Sequence, residues 1–147
     1  MEYYADISKQ FMMELEDLPR DYTREMATQN WDVLIDLVLN FNIGRFLLFM
    51  ENYNNGISDK IRITQFGIDG PATTSILYYD GSIIIYVVDD TRYPMAQFYT
   101  YYGDQITIDY RYFSYNQMVI DYNLQPIDGS RELRILGIWA GLKPQER

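Results

Sequence analysis

Histidine and cysteine are both missing from this 147-residue chain, and lysine occurs only at Lys9, Lys60 and Lys143. Without histidine or cysteine there is no Ser-His-Asp triad, no thiol nucleophile, no Cys/His zinc centre and no haem held by its common ligands. Three scattered lysines leave a Ser–Lys mechanism little to work with. Long apolar runs are lacking too. The longest, Ser82 to Val88, has the length of a strand and falls well short of the ~18 residues that a membrane span needs. The opening Met1-Glu2-Tyr3-Tyr4-Ala5-Asp6 has no basic region, and Asp6, Lys9, Glu14, Glu16 and Asp17 interrupt any apolar core after it. The expectation is therefore no signal peptide. The absence of cysteine suits a reducing compartment, so the expected location is cytoplasmic.

Positive charge is scarce as well. Twelve basic side chains stand against 21 acidic ones, a net charge of −9. Such a surface repels phosphate backbones and anionic lipid, which argues against nucleic-acid and membrane partners. Residues 1–56 carry 4 basic and 10 acidic groups, a net of −6, and residues 57–147 carry 8 and 11, a net of −3. No repeat, linker or low-complexity tract interrupts the chain, and its length fits one domain over residues 1–147.

What is present reads as helices followed by strands. Tyr4, Ile7, Phe11, Leu15 and Leu18 recur at helical spacing, and Pro19 ends that helix. Asp21 or Thr23 can cap a short second helix through Ala27, with Glu25 in its first turn. Trp31 to Leu39 fits either a strand or a helix by periodicity, and its Val/Leu/Ile content favours a short strand. Asn42 is a suitable N-cap for a helix with Ile43, Phe46, Leu47, Met50 and Tyr53 on one face, closed by Gly56.

After Gly56 strands take over. Lys60 to Ile68 alternates, placing Ile61 and Ile63 inward against Arg62 and Thr64 outward. Ser75–Tyr79 and Ser82–Val88 flank the hairpin signal Asp80-Gly81. The unbroken Ile83–Val88 run suits a central strand covered on both faces. Gln105–Tyr115 and Met118–Leu124 form a second pair around Asn116, and Pro126–Gly129 is a turn before a last strand, Glu132–Trp139. The predicted class is α+β, an antiparallel sheet with two or three N-terminal helices packed on it.

Some of these residues carry a resemblance. Asn54-Asn55-Gly56-Ile57-Ser58-Asp59-Lys60-Ile61-Arg62-Ile63-Thr64, then Leu77-Tyr78-Tyr79-Asp80-Gly81, then Val88-Asp89-Asp90-Thr91-Arg92, resembles a domain-of-unknown-function family of small Gram-positive lipoproteins. The likeness spans roughly Ala27 to Arg92 and rests on turn and strand residues, so it bears on fold rather than activity. That family's lipidated cysteine and later cysteine pair have no counterpart here, which implies a cytosolic relative. The resemblance brings no catalytic residue with it.

Candidate sites remain few. Asp89-Asp90 could bind metal, but neighbouring strand residues point to opposite faces, so a solvated strand end with an Asp90–Arg92 surface pair is the simpler reading. Asp69-Gly70-Pro71 reads as a turn, and Asp109 and Asp121 as the wet face of a sheet. Tyrosine stands out, with 15 in the chain. Tyr93, Tyr99, Tyr101, Tyr102, Tyr110, Tyr112 and Tyr115 crowd one span, either as strand residues or as contact area for a partner. The expected function is a non-enzymatic acidic binding protein, an immunity- or antitoxin-type inhibitor of a basic, nuclease-like bacterial toxin. Its expected partner surface is Asp89, Asp90, Tyr93, Tyr99, Tyr101, Tyr102 and Asp104, with Glu14, Asp17, Asp21 and Glu25 as the rival surface. No metal or cofactor is expected. The alternative is a small-molecule or peptide binding module, as the lipoprotein resemblance implies.

Overall fold

The first helix is present as α1 (Glu2–Glu16) in a computed structural model that describes residues 2–37, 40–113 and 117–140. Phe11 and Leu15 are buried against Ile76, Ile85 and Val87, with Tyr4, Ile7 and Leu18 packed around them. Of the two candidate caps for α2 (Arg24–Gln29), Thr23 is the one used. Its side chain accepts a 3.1 Å hydrogen bond from the Met26 N–H, while Asp21 is exposed. The ambiguous segment resolves to a short strand, β1 (Val33–Ile35); Val38 and Leu39 lie outside the described residues.

Next comes α3 (Ile43–Asn54), whose buried face is not quite the expected one. Phe46, Phe49 and Met50 are inside, whereas Leu47 is 47% exposed. Positions 46, 49, 50 and 53 make the tighter i, i+3, i+4, i+7 stripe, with Phe49 inside where the sequence pattern predicts Leu47. Asn42 sits at the N-cap but caps nothing. Its backbone is left-handed (φ 62°), and its amide donates instead to the Trp31 carbonyl at 2.8 Å.

The strands that follow are β2 (Asp59–Gln65), β3 (Thr73–Tyr79), β4 (Ile84–Asp89), β5 (Phe98–Phe113), β6 (Gln117–Pro126) and β7 (Leu133–Trp139). Hydrogen-bonded neighbours run in chain order from β1 to β7. The fold is α+β with a mostly antiparallel sheet, as predicted. Among the described pairings, one is parallel. β1 runs alongside β2 with Val33 opposite Ile63, so α3 is the crossover between them. The chain divides into two compact units, Met1–Tyr102 and Gly103–Arg147, with β5 running from one into the other.

In the first unit, helices cover both faces of the sheet. Register places Arg62 opposite Ile76, and Ile76 opposite Val87, on the face that α1 covers. The other face carries Ile61, Ile63, Leu77 and Tyr79 and meets α3. Adjacent tyrosines show the split: the Tyr78 ring lies 5.4 Å from Phe11 of α1, and the Tyr79 ring 5.1 Å from Tyr53 of α3. This explains why β4 reads as an unbroken apolar run, since Ile84 to Val87 are all buried. It also corrects the reading of Arg62 and Thr64 as outward-facing, because Thr64 is fully buried under the α1 side. The β3–β4 turn uses Gly81 (φ 101°), and the Asp80 carboxylate accepts from the Ser82 and Ile83 N–H groups at 2.8 and 2.7 Å.

The second unit is a meander of β6 and β7 with the later part of β5. Asp109 stands directly opposite Asp121, an arrangement that repels unless it is compensated. Arg111 donates to Asp121 at 2.5 and 3.1 Å, Arg134 at 3.4 Å, and Asn123 donates to Asp109 at 3.1 Å. Arg111 holds the Asp121 carboxyl below the usual carboxylate range. Asp121 is thus buried beneath its own cations, which corrects the expectation of a wet position. Gly137, across from Asp121, leaves the room: a Cβ there would lie 2.7 Å from Asp121 Oδ1. Tyr115 and Asn116 lie outside the described residues.

Candidate functional site

The seven residues expected to form one partner surface are dispersed. Asp89 is only 1% exposed, on the α1 face. Its Oδ1 accepts from the Thr91 N–H at 2.8 Å and the Thr91 hydroxyl at 2.5 Å, and its Oδ2 faces Arg92 at 3.5 Å. The ion pair is therefore Asp89–Arg92, buried, rather than Asp90–Arg92 at the surface. Asp90 accepts instead from Thr73 Oγ1 at 2.9 Å. Tyr93 donates its hydroxyl to the Pro71 carbonyl at 3.0 Å and lies over Gly70, which ties down the Asp69–Pro71 turn. Tyr102 faces α1, with its hydroxyl 2.9 Å from Ser8 Oγ and its ring 6.4 Å from Tyr4. Tyr99 and Tyr101 stack 15° from parallel, and Tyr101 also meets Tyr86. Burial, together with Tyr99 and Asp90 nearby, raises the Tyr101 hydroxyl above its ordinary pKa. Asp90 stays close to Tyr101 and Tyr99 and accepts from the Tyr93 N–H at 3.0 Å through its backbone carbonyl; Asp104 is exposed.

The rival surface fares differently. Glu14 is engaged by Lys60 at 2.7 Å and by Arg62 at 3.1 Å. Asp17, Asp21 and Glu25, joined by Glu16, are exposed, and no ion pair among the described residues holds them. Cations within the same stretch are already committed. Arg20 donates to the Thr91 hydroxyl and carbonyl at 2.9 and 2.7 Å, and Arg24 pairs with Asp36.

The residues named in the sequence pattern do not include a concavity that the fold builds. A cleft of about 500 Å³ opens at the sheet edge, lined by Trp31, Asn42, Arg45, Lys60 and Arg62, with Glu14 and Asp32 among its other walls. It exists because β1 is short. β1 begins at Val33, opposite Ile63, so the first residues of β2 have no strand beside them there. Arg45 closes part of that edge by donating to the Lys60 carbonyl at 3.3 Å and to Asp59 at 2.9 and 2.5 Å. Hydrogen bonding to Arg45 holds the Asp59 carboxyl below its usual range.

Behind the cleft lies a buried polar network centred on Asp32, which is 2% exposed. Asp32 accepts from Arg62 Nε at 2.8 Å, from the Tyr22 hydroxyl at 2.7 Å and from the Thr64 hydroxyl at 2.9 Å. Asn30 donates in turn to the Tyr22 oxygen at 3.0 Å. Burial opposes the Arg62 charge, but Asp32 outweighs it and raises the guanidinium pKa. Burial and the hydrogen bond to Asp32 push Tyr22 up to about 12 from 10.0. The folded state thus holds this proton more tightly than the unfolded one. The resulting stability is complete below pH 10.0 and is lost as the pH rises through about 12. Denaturant unfolding of the Tyr22→Phe chain across that window is expected to show a flatter alkaline limb than the parent.

At the mouth of the cleft, Trp31 occupies a position built for glycine. α2 ends in a Schellman motif, with Trp31 N–H donating to the Thr28 carbonyl at 3.1 Å and Asp32 N–H to the Ala27 carbonyl at 3.0 Å. α3 ends the same way through Gly56 and Ile57, donating to the Tyr53 and Asn52 carbonyls at 3.1 and 2.8 Å. At the left-handed position α3 has Gly56 (φ 71°), while α2 has Trp31 (φ 60°). A side chain in that conformation costs on the order of 1 kcal/mol. Trp31 recovers one ring contact, Phe41 at 5.8 Å, yet remains 71% exposed. The signal lies in the sequence as a tryptophan where a short helix needs a left-handed end, a few residues past Ala27, where the predicted helix stops.

No protein-family model, no curated protein and no solved structure matches this chain. Among the described residues, no helix is long and apolar enough to cross a membrane.

Proposed function

We propose that this chain is a non-enzymatic acidic binding protein whose partner is a basic protein, an inhibitor of the immunity or antitoxin type. The observation that supports the reading is how its charges are used. Arg24, Arg45, Lys60, Arg62, Arg92, Arg111 and Arg134 all sit in internal ion pairs. Glu16, Asp17, Asp21 and Glu25 stand outward within ten residues of chain, a cluster of exposed negative charge from the end of α1 to the start of α2. Opposite charge steers a basic partner onto such a surface and speeds encounter more than it deepens affinity. The buried carboxylates Asp32 and Asp89 are each engaged by an arginine and by hydroxyl donors, which gives them a structural role.

Basic proteins encoded beside this one, purified as toxin domains, supply the test by pull-down followed by stopped-flow mixing. Replacing Glu16, Asp17, Asp21 and Glu25 together by lysine is expected to slow association about tenfold or more at low salt and to weaken its salt dependence. Dissociation should change far less. Failure of every basic neighbour to bind, or an unchanged association rate in the fourfold variant, would overturn the reading.

A further inference from the structure

Trp31 and the cations beside it support a second site, independent of the acidic surface. The cleft's volume, about 500 Å³, falls within the ~300–1,000 Å³ typical of small-ligand sites. Trp31 is kept where glycine serves the helix end better, and most of its ring faces solvent, so its side chain has little folding role to explain it. Its carbonyl is anchored by Asn42, itself left-handed, which fixes the turn that presents the indole.

The polar lining has donors to spare. Lys60 uses one of its three N–H groups, on Glu14. Arg62 uses Nε on Asp32 and Nη1 on Glu14, leaving Nη2. Arg45 uses Nη1 and Nη2 on Asp59 and the Lys60 carbonyl, leaving Nε. Acceptors are scarcer, because Asp32 already takes three hydrogen bonds and Glu14 two. A group entering here finds unused N–H donors and a flat exposed ring.

We propose that the cleft binds a carboxylate joined to a planar apolar group, with Trp31 stacking on the apolar part and Lys60, Arg45 and Arg62 receiving the carboxylate. That chemistry belongs equally to a small aromatic acid and to the free C-terminus of a peptide ending in an aromatic residue. Both sources fit the same donors, and the test separates them.

The chain holds two tryptophans, so a Trp139→Phe background leaves the Trp31 indole N–H as a single resonance to follow by NMR. The probes are 2-naphthoate with 2-naphthamide, and the tripeptide Gly-Gly-Phe with its C-terminal amide. At least one acid should shift the Trp31 signal saturably, with its amide partner about tenfold weaker or worse, because the spare N–H groups of Lys60, Arg45 and Arg62, whose charges are already paired with Glu14, Asp59 and Asp32, bond a carboxylate more strongly than a neutral amide oxygen. Binding of naphthoate assigns the site to small acids, and binding of the tripeptide alone assigns it to peptide ends. Lys60→Met should weaken the active acid about fivefold or more. Trp31→Gly should abolish the binding while keeping or raising the melting temperature, since glycine relieves the left-handed backbone. Absence of a shift with both acids up to ~10 mM, equal binding of acid and amide, an unaffected Lys60→Met chain, or unfolding of Trp31→Gly would each overturn the proposal.

Discussion

Arg92→Ala is expected to remove about 3–5 kcal/mol of folding stability, the range for breaking one side of a buried ion pair. The Arg92 and Asp89 side chains are 2% and 1% exposed, so neither has water to fall back on. Arg92 also ties distant parts of the first unit together, donating to the Pro19 carbonyl at 2.9 Å and to Thr74 Oγ1 at 3.3 Å. Its removal strands the Asp89 carboxylate and leaves the Pro19 carbonyl after α1 without this donor. Burial, with Arg20 nearby, draws the Arg92 guanidinium below its ordinary pKa despite Asp89, a sign that its charge is held at a cost. Replacing the pair by apolar residues, as Asp89→Leu with Arg92→Met, should therefore recover most of the loss. Urea unfolding of the single and double variants measures both. A loss below about 1 kcal/mol for Arg92→Ala would show that the pair is solvated after all.

The same pair shows where sequence reading succeeds and where it stops. Periodicity located α1, α2, α3 and the β2–β4 strands, because a buried face imposes its spacing on the chain whatever lies opposite. The unbroken β4 run implied cover on both faces at that strand, but nothing local in Arg62 or Thr64 of β2 distinguishes a solvated face from one sealed by α1. The solvated strand end predicted at Asp89 gives way to a buried one for the same reason. At the end of an apolar strand a carboxylate suggests solvent, and only the return of Pro19 and Arg92 over it makes it internal. The parallel β1–β2 pairing was hidden in a similar way. A three-residue strand carries too little pattern to announce its direction. The cleft depends on that short strand and on residues from α1 through β2, which become neighbours only in the folded chain.

Asp32→Ala is expected to be at least as costly as Arg92→Ala, about 3–5 kcal/mol or more, because several partners are orphaned at once. Thr64 is fully buried and Tyr22 is 3% exposed, so both hydroxyls would lose their acceptor away from water. Arg62 would keep only Glu14, whose side chain is 34% exposed and shared with Lys60. Asp32→Asn should be milder, since the amide oxygen can still accept from two of the donors, but it removes the charge that Arg62 was placed to meet. The Asp32 backbone N–H closes the α2 helix end in every variant, so the loss reports the side chain alone. Adding Tyr22→Phe and Thr64→Val to Asp32→Ala should return part of the stability by removing the stranded hydroxyls. Adding Arg62→Met should return more, because a guanidinium that has lost its buried partner and keeps only the shared Glu14 is the costliest of these groups to leave in place. Urea titration of this series, in which each step restores stability, is what a single connected network requires. If Asp32→Ala cost under about 1 kcal/mol, or if the added substitutions each destabilised further by their own separate amounts, the four side chains would be acting independently and Asp32 would not be the centre that holds this corner of the fold.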